Sequence, residues 1–230
     1  LKDSQHQIML SAKFAAIGEL AGGVAHEVNN PLQIILSRVQ LMTLQNKDDA
    51  KVVKGLNLIE HNVKRISRII SALLGFAGHN AQESGWEEFD VAQALRQALA
   101  LVGHQLEKGL IETFFECEAE LPLLTGNIGE LEQVFINLMI NAQNAMTNGG
   151  VLNIEVRREG EQLEVRFADT GCGIAPKHLD RIFEPFYTTR ADEGGTGLGL
   201  AVSYRIVERH QGKLTVESAP GKGTTFIIRL

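Results

Sequence analysis

The sequence has few cysteines, no excess of positive charge and no long apolar run, and each shortage excludes a class of protein. Only Cys117 and Cys172 occur in 230 residues, too few for the disulfide framework of a small secreted domain. The formal net charge of -6 gives no general attraction for nucleic acid or anionic lipid. The apolar stretches are far shorter than the roughly 18 residues of a membrane-spanning helix. We therefore expect a cytoplasmic protein with no nucleic-acid or membrane contact in this fragment.

Two long helices are predicted at the start of the chain. From about residue 11 to residue 44, apolar residues recur at steps of three, four or seven, and a second such series runs from Val52 to Leu73. Two antiparallel helices cannot bury both stripes alone, so the pattern predicts a homodimer in which two hairpins form a four-helix bundle. Because the chain begins at Leu1 and not at Met, in a stretch that itself has a helical pattern, we expect a piece of a longer, sensor-bearing protein.

A change of pattern indicates a second domain. The segment Gly75 to Gly85 is rich in small and polar residues, which predicts domains at 1–80 and 86–230. The later part mixes helical and alternating patterns, which predicts an α+β sandwich. Its predicted elements are helices at Val91 to Leu106, Ile128 to Met146 and Leu198 to His210, a strand at Ile111 to Cys117, and hairpins at Val151 to Ala168 and Lys213 to Leu230, with Gly149-Gly150 ending the second of these helices.

His26 is the candidate nucleophile. It lies two residues after Val24, so it points about 200° away from the apolar stripe and toward solvent. An imidazole with an ordinary pKa near 6.5 is mostly neutral at cytosolic pH, with one ring nitrogen available for attack. Glu27 is the nearest group that can take the second ring proton. An exposed histidine on a helix is nevertheless ordinary surface in most proteins.

Asn30 lies one helical turn after His26, where its amide can orient a water or a phosphoryl oxygen. Pro31 removes one backbone hydrogen bond and predicts a kink just past the site. A zinc site of the H-E-x-x-H type is excluded, because Asn30 occupies the position of the second histidine ligand.

A nucleotide site is predicted from three groups of residues. The string Gly195-x-Gly197-x-Gly199 opens a predicted helix, whose free amides suit phosphates, but it matches neither a P-loop nor a dinucleotide fold. Asp169 follows a predicted strand and can accept a hydrogen bond from an exocyclic amine. Asn137 and Asn141 share a helix face, and a carbonyl oxygen of Asn141 suits Mg²⁺, although both are also ordinary surface amides.

The segment between Asp169 and the glycines is predicted to be a lid. It contains the aromatic run Ile182 to Tyr187 and then Arg190, a predicted contact of the γ-phosphate that is also compatible with a solvated surface arginine.

In order and spacing these motifs resemble the sensor histidine kinases of two-component systems, over about residues 14 to 230. His26 to Leu32 looks like the H box, Asn137 to Ala142 the N box, Asp169 to Gly173 the G1 box, Phe183 to Phe186 the F box and Gly195 to Gly199 the G2 box. Asn-Asn-Pro-Leu and Pro-Phe-Tyr-Thr-Thr are similar to the nitrogen-regulatory branch. Arg190 and Asn144 stand where relatives often have lysine.

The resemblance implies a dimerisation and phosphotransfer domain followed by an ATP-binding domain of the gyrase and chaperone type. It implies ATP and Mg²⁺ as cofactors, autophosphorylation of His26, transfer to an aspartate of a response-regulator receiver domain, and phosphatase activity toward that regulator. His26, Glu27 and Asn30 would be the catalytic residues, and Asn141 the metal ligand. The nucleotide would contact Asn137, Asn141, Asn144, Asp169, Gly171, Gly173, Ile174, Phe186, Arg190, Gly195, Thr196, Gly197, Leu198, Gly199 and Thr225.

Two other functions remain as alternatives. An ATP-gated ATPase or clamp is disfavoured because Asn137 stands where hydrolytic relatives place a catalytic glutamate. A non-catalytic scaffold is disfavoured by the intact Asp169, Asn141 and glycine motifs.

Overall fold

The computed structural model describes residues 28–47, 49–77, 85–190 and 195–230. These residues divide into two compact units. The first unit contains the described residues up to Ala77 together with those between Thr188 and Leu198. The second contains residues 85–187 and then Gly199–Leu230. His26 and Glu27 lie outside the described residues, as does the first half of the first predicted helix.

The first unit contains two helices, α1 over residues 28–45 and α2 at Ala50–Ala77. Asp49 caps the N-terminus of α2, since its Oδ1 accepts hydrogen bonds from the backbone N–H groups of Lys51 (3.0 Å) and Val52 (3.2 Å). Since α2 continues to Ala77, the first three residues of the predicted linker are helical, and residues 78–84 are not described. The domain boundary stays a prediction.

Each helix buries one apolar row and exposes another. The buried row has a seven-residue period, with Leu32 and Val39 in α1 and Leu56, Val63 and Ile70 in α2. Three residues after members of this row, a second row with the same period is exposed, and it consists of Ile35 and Met42 in α1 and of Ile59 and Ile66 in α2. The predicted stripe is thus only partly covered within one chain.

The second unit is a mixed sheet covered by helices on one face, which confirms the predicted α+β sandwich. The described strands are β1 Glu87–Phe89, β2 Ile111–Cys117, β3 Leu124–Gly126, β4 Gly150–Glu159, β5 Gln162–Asp169, β6 Lys213–Ser218 and β7 Thr224–Arg229. Five of them form the sheet in the order β2, β4, β5, β7 and β6, with β2 parallel to β4 and the other neighbours antiparallel.

The covering helices are α3 at Val91–Lys108, α4 at Ile128–Ala145 and α6 at Gly199–Arg209. Side chains cap the N-termini of α3 and α4. Asp90 accepts a hydrogen bond from the backbone N–H of Ala92 (2.8 Å), and Asn127 accepts one from that of Glu130 (3.0 Å). Apolar side chains of α4, including Phe135 and Leu138, are fully buried against the sheet, where Phe135 lies 6.0 Å from Phe167 of β5 between ring centroids. Helix α4 is therefore the central support of this unit.

Some elements differ from the predicted ones. The short strands β1 and β3, which pair with each other, and the four-residue helix α5 at Pro176–Leu179 were not predicted. Helix α4 ends at Ala145, and Gly150 opens β4 instead of ending the helix. The turn between β4 and β5 is two residues long, with Gly160 at φ +66°.

The face of the sheet away from the helices carries a network of ion pairs. At its centre the carboxylate of Glu164, only 4% exposed, lies 2.7 Å from Arg229, 3.3 Å from Arg166 and 3.9 Å from Arg157. This buried charge has its partners, as a buried carboxylate requires.

Candidate functional site

The candidate site of the second unit begins on α4. Asn137, Asn141 and Asn144 follow one another at steps of four and three residues, so they share one face of the helix. The Asn137 amide nitrogen donates to the carbonyl of Gly199 (3.3 Å) and to Oγ of Ser203 (3.4 Å), both in α6. Asn141 is half-buried, and the described residues give its amide no hydrogen bond. Its carbonyl oxygen remains available to a ligand.

Asp169 ends β5 and is buried. Its Oδ1 accepts hydrogen bonds from the backbone N–H groups of Gly171 (2.8 Å) and Thr224 (3.2 Å). Burial raises the pKa of the Asp169 carboxyl above its ordinary value, and the two N–H donors oppose that rise. Because both hydrogen bonds fall on Oδ1, Oδ2 remains as a fixed acceptor beside the backbone of the following glycines.

Three glycines allow the backbone around Asp169 to pack closely. A Cβ at Gly171 would lie 2.7 Å from the carbonyl oxygen of Ala145 at the end of α4. A Cβ at Gly173 would lie 2.1 Å from the carbonyl oxygen of Ala219, and one at Gly223 would lie 1.9 Å from that of Asp169. Gly173 and Gly223 also have φ values of +70° and +83°, which favour glycine. The site is thus largely formed by main chain.

The turn between β6 and β7 supports this loop and was missed by the sequence analysis. Ser218 Oγ accepts from the backbone N–H of Ile174 (2.8 Å) and donates to the carbonyl of Gly223 (2.9 Å). The N–H of Gly221 donates to the carbonyl of Cys172 (2.8 Å). The only sequence signal for this role is the glycine spacing of Ala219-Pro220-Gly221-Lys222-Gly223, which we interpreted as an ordinary hairpin turn.

The structure places Thr224, and not the predicted site residue Thr225, beside Asp169. In the pairing of β5 with β7, Asp169 lies opposite Thr224, whereas Thr225 lies opposite Ala168. Because side chains alternate along a strand, Thr225 points to the other face of the sheet. A shift of one residue moves the side chain away from the site.

The aromatic run after α5 forms a tight turn. Phe183 packs on Tyr204 of α6, with ring centroids 5.2 Å apart. Phe186 is exposed and has a φ of +65°, which is uncommon for a residue with a side chain. Tyr187 shares a hydrogen bond of 2.5 Å between its hydroxyl and Nδ1 of His178. The structure therefore anchors Phe183 and Tyr187 and directs Phe186 to solvent.

The remaining predicted residues belong to the first unit. The N–H of Gly195 donates to the carbonyl of Arg190 (3.0 Å), and the N–H of Leu198 donates to Oγ1 of Thr196 (3.4 Å). Gly197 has a φ of +67°. Asn30 is exposed on α1. These residues are thus not brought together with Asp169 within one compact unit.

Comparisons with known proteins identify the family. The family model "His Kinase A (phospho-acceptor) domain" matches residues 16–82, and the model "Histidine kinase-, DNA gyrase B-, and HSP90-like ATPase" matches residues 126–230. Sporulation kinase E of Bacillus subtilis (strain 168) is 35% identical over 230 residues, which are 100% of this chain and 30% of that protein. The chain belongs to the sensor histidine kinases. It spans less than a third of the length of that kinase relative.

Solved structures of histidine kinases have the same fold. Full-length ShkA in complex with AMPPNP aligns with a TM-score of 0.76 and 27% identity, over 92% of this chain and 45% of that one. Histidine kinase ThkA in complex with the response regulator TrrA aligns with a TM-score of 0.68 and 25% identity, over 100% of this chain and 66% of that one. The nitrogen-regulatory branch stays a prediction.

The described part of this histidine kinase contains neither a metal-binding cluster nor a membrane-spanning helix. No group of three or more histidine, cysteine, aspartate or glutamate side chains there is arranged to hold a metal ion. Among the same residues, no helix combines the length and the apolar character needed to cross a membrane.

Proposed function

We propose that this chain transfers the γ-phosphoryl group of ATP to His26 and then to an aspartate of a response-regulator receiver domain. The observation that carries the proposal is the buried carboxyl of Asp169, whose Oδ1 is fixed by two backbone donors and whose Oδ2 remains an acceptor. A hydrogen-bond acceptor beside closely packed backbone suits the flat base and exocyclic amine of adenine. The reaction takes place in the cytosol, the compartment predicted from the composition.

Helix α4 would contact the nucleotide along its length. Its Ala145 packs against the Gly171 loop near Asp169, while its Asn137 bonds the first turn of α6. Eight residues separate these positions, so they lie about 12 Å apart along the helix axis. With adenine at Asp169, the phosphates would extend toward Asn137, Asn141 and the first turn of α6, where free amides favour anions.

The amide oxygen of Asn141 fits a Mg²⁺ ion that is bound together with the phosphates. Oxygen ligands are what this ion prefers, and Asn141 has no competing hydrogen bond within the described residues. When bound, Mg²⁺ would neutralise charge that develops on the transferred phosphoryl group. Asn137 cannot act as a base, because a side-chain amide is not basic at neutral pH, and its nitrogen already donates to Gly199 and Ser203. Water is therefore poorly activated, which favours a kinase over an ATPase.

His26 would attack the γ-phosphorus through one ring nitrogen, while Glu27 takes the proton from the other. Asn30 of α1, four residues further along the chain, would orient a water when a phosphorylated regulator is hydrolysed. The chemistry is dominated by positioning, since phosphoryl transfer needs little covalent work from the protein. ThkA is similar to this chain and forms a complex with a response regulator, which supports that class of partner.

The active unit would be a homodimer formed through the helical hairpin. Ile35, Met42, Ile59 and Ile66 form exposed apolar rows beside the buried ones, and a second hairpin is what would cover them. The match to the phosphoacceptor domain supports this arrangement.

The dimer is tested by sedimentation of Ile59→Glu at micromolar concentration. Ile59 is 46% exposed in the open row, whereas Leu58 is 65% exposed but points about 100° away from Ile59. We expect Ile59→Glu to be monomeric and Leu58→Glu to remain dimeric. A monomeric wild-type chain would refute the bundle.

The phosphorylation is tested with γ-labelled ATP. We expect label on the protein that is labile in acid, stable in base and absent from His26→Gln. The matched control is His61→Gln, because His61 is exposed on α2. Steady release of phosphate without protein-bound label would favour an ATPase, and neither label nor release would favour a scaffold.

A further inference from the structure

His210, the residue that follows α6, ties the end of this helix to the start of α4. Its Nδ1 donates to the carbonyl of Ile206 in the last turns of α6 (2.8 Å), and its Nε2 accepts from the backbone N–H of Asn127 (3.0 Å). Because a carbonyl can only accept and an N–H can only donate, these two partners fix one neutral tautomer of the ring. The imidazole is thus buried with both of its nitrogens hydrogen-bonded.

A tryptophan covers the ring of His210. Trp86, the only tryptophan in the sequence, stacks on it with ring centroids 4.8 Å apart and the ring planes inclined by 17°. Backbone also lies against the imidazole, because a Cβ at Gly126 would be 2.5 Å from its Cδ2 atom. Trp86 lies close to the point where the chain enters the second unit, and it is 44% exposed. We call the stacked pair of Trp86 and His210 the ring latch.

The two ends of α6 are held with different firmness. At its C-terminal end the ring latch is joined by Arg209, whose guanidinium lies 2.7 Å from the carboxylate of Glu130 in the first turn of α4. At its N-terminal end α6 is joined to Asn137 by the longer hydrogen bonds of 3.3 and 3.4 Å. The helix has 11 residues and is about 16 Å long. A displacement at the latched end therefore moves the first turn, where the bonds are weaker.

We propose that Trp86 and His210 are positioning residues for the phosphates of the nucleotide, because the ring latch sets the position of α6 and thereby that of its first turn beside Asn137. This inference rests on the proposed function, in which that turn contacts the phosphates. All the residues that carry it belong to the second unit. Adenine recognition depends on Asp169 and Gly171, at the opposite end of α4 from the latch. Loss of the latch should hence weaken binding of a nucleotide and spare that of a nucleoside.

The test compares AMPPNP, with Mg²⁺, and adenosine by calorimetry on the whole chain, with adenosine measured by its competition with AMPPNP. Trp86→Ala removes the stack, and its fold should persist because Trp86 is partly exposed. We expect this variant to raise the Kd for AMPPNP about twofold to tenfold, the range that corresponds to one aromatic stack, and to leave the Kd for adenosine unchanged. Trp86→Phe keeps an aromatic ring over His210 and should bind AMPPNP as the wild type does.

The matched control is Phe114→Ala. Phe114 is an aromatic residue of β2 that is 45% exposed, and it points away from the helices because its neighbour Phe115 lies under Arg96 of α3. This variant should bind both ligands as the wild type does.

A second variant tests the histidine. His210→Gln keeps an acceptor for the N–H of Asn127 and removes the ring, so it should weaken AMPPNP binding as Trp86→Ala does. The double variant should lose little more than either single one, because all three lack the same stack.

The outcomes that contradict the proposal are distinct. Unchanged AMPPNP affinity in Trp86→Ala would overturn it, and so would a Trp86→Phe variant that binds as weakly as Trp86→Ala. Equal losses for AMPPNP and adenosine would also overturn it, because they would show that the whole unit had loosened. A wild-type chain that binds neither ligand would overturn the proposed function and this inference together.

Discussion

Replacing Asp169 by asparagine separates nucleotide recognition from folding. The two residues have the same shape, and an asparagine oxygen can accept from the N–H groups of Gly171 and Thr224 as Oδ1 of Asp169 does. The second position changes from an acceptor to an N–H₂ donor. An adenine amine would then meet a donor, so the variant should keep the loop and lose the base contact.

The size of the loss follows from the charge on the acceptor. A hydrogen bond to a charged group contributes about 1.5 to 3 kcal/mol, and each 1.4 kcal/mol changes affinity about tenfold. We therefore expect Asp169→Asn to weaken ATP binding by about 10-fold to 150-fold. Asp169→Ala should in addition destabilise the fold, because it leaves the N–H groups of Gly171 and Thr224 without their acceptor.

Calorimetric titration with AMPPNP and urea unfolding measure the two effects. Asp90→Asn is the matched control, because it removes the same charge while asparagine still caps α3. Wild-type affinity in Asp169→Asn would show that Oδ2 does not contact the base. A loss of affinity with an equally large loss of folding free energy would show that the loop had collapsed instead.

The pH dependence of stability provides an independent check on Asp169. Its pKa is raised mainly by burial, so the stability it contributes is present below the pKa of the unfolded chain and is lost as pH rises through the folded pKa. Asp169→Asn should thus be the more stable protein at neutral pH, and its advantage should shrink in acid. If the stability advantage of Asp169→Asn grew as the pH fell, burial would not be what raises the pKa of Asp169.

Four further substitutions test the packing. Glu164→Gln should lower the free energy of unfolding by about 3 kcal/mol, because it removes the negative charge that pairs with the Arg229 guanidinium 2.7 Å away. Chemical denaturation measures this loss, and the affinity for AMPPNP should not change. Gly223→Ala should destabilise the unit and weaken AMPPNP binding, because its Cβ would lie 1.9 Å from the carbonyl oxygen of Asp169. Gly160→Ala, at a positive φ with open space, should cost only about 1 kcal/mol and leave binding intact. Gly55 lies in α2, and a Cβ there would meet open space. Gly55→Ala should therefore stabilise the protein by about 1 kcal/mol and raise its melting temperature. A lower melting temperature would mean that another side chain packs against Gly55.

Elements with a clear period were predicted closely. Strand β2 has the predicted bounds, and α3 and α4 differ from their predicted ends by two residues or fewer. These segments are long enough for periodicity to distinguish a helix from a strand, and Asp90 and Asn127 mark the helix starts. The three-residue strands β1 and β3 and the four-residue α5 are too short to show any period.

The site was predicted where a single segment carries it. Asp169, Gly171 and Gly173 lie in one loop, so their proximity follows from the sequence alone. The contribution of Ser218 and Thr224 depends on the pairing of strands that are distant in the sequence. The sequence alone does not indicate whether Thr224 or Thr225 faces Asp169. The hydrogen bond between Tyr187 and His178 was missed for the same reason, because nothing in the sequence indicates that these two side chains meet.

The two ends of the proposed nucleotide site are built in different ways, and this has a consequence for control. Around Asp169 the site consists of backbone held by glycines, in which a single added carbon would clash. Toward the phosphates it depends on side chains, with Asn137 joined to α6 by two hydrogen bonds of 3.3 and 3.4 Å, near the long limit for such bonds. In the proposed site, a rigid end would bind the base and a softer end would position the phosphates, so the transfer step could change while the nucleotide stays bound. Changes in α6 should accordingly alter the rate of phosphorylation more than the affinity for ADP.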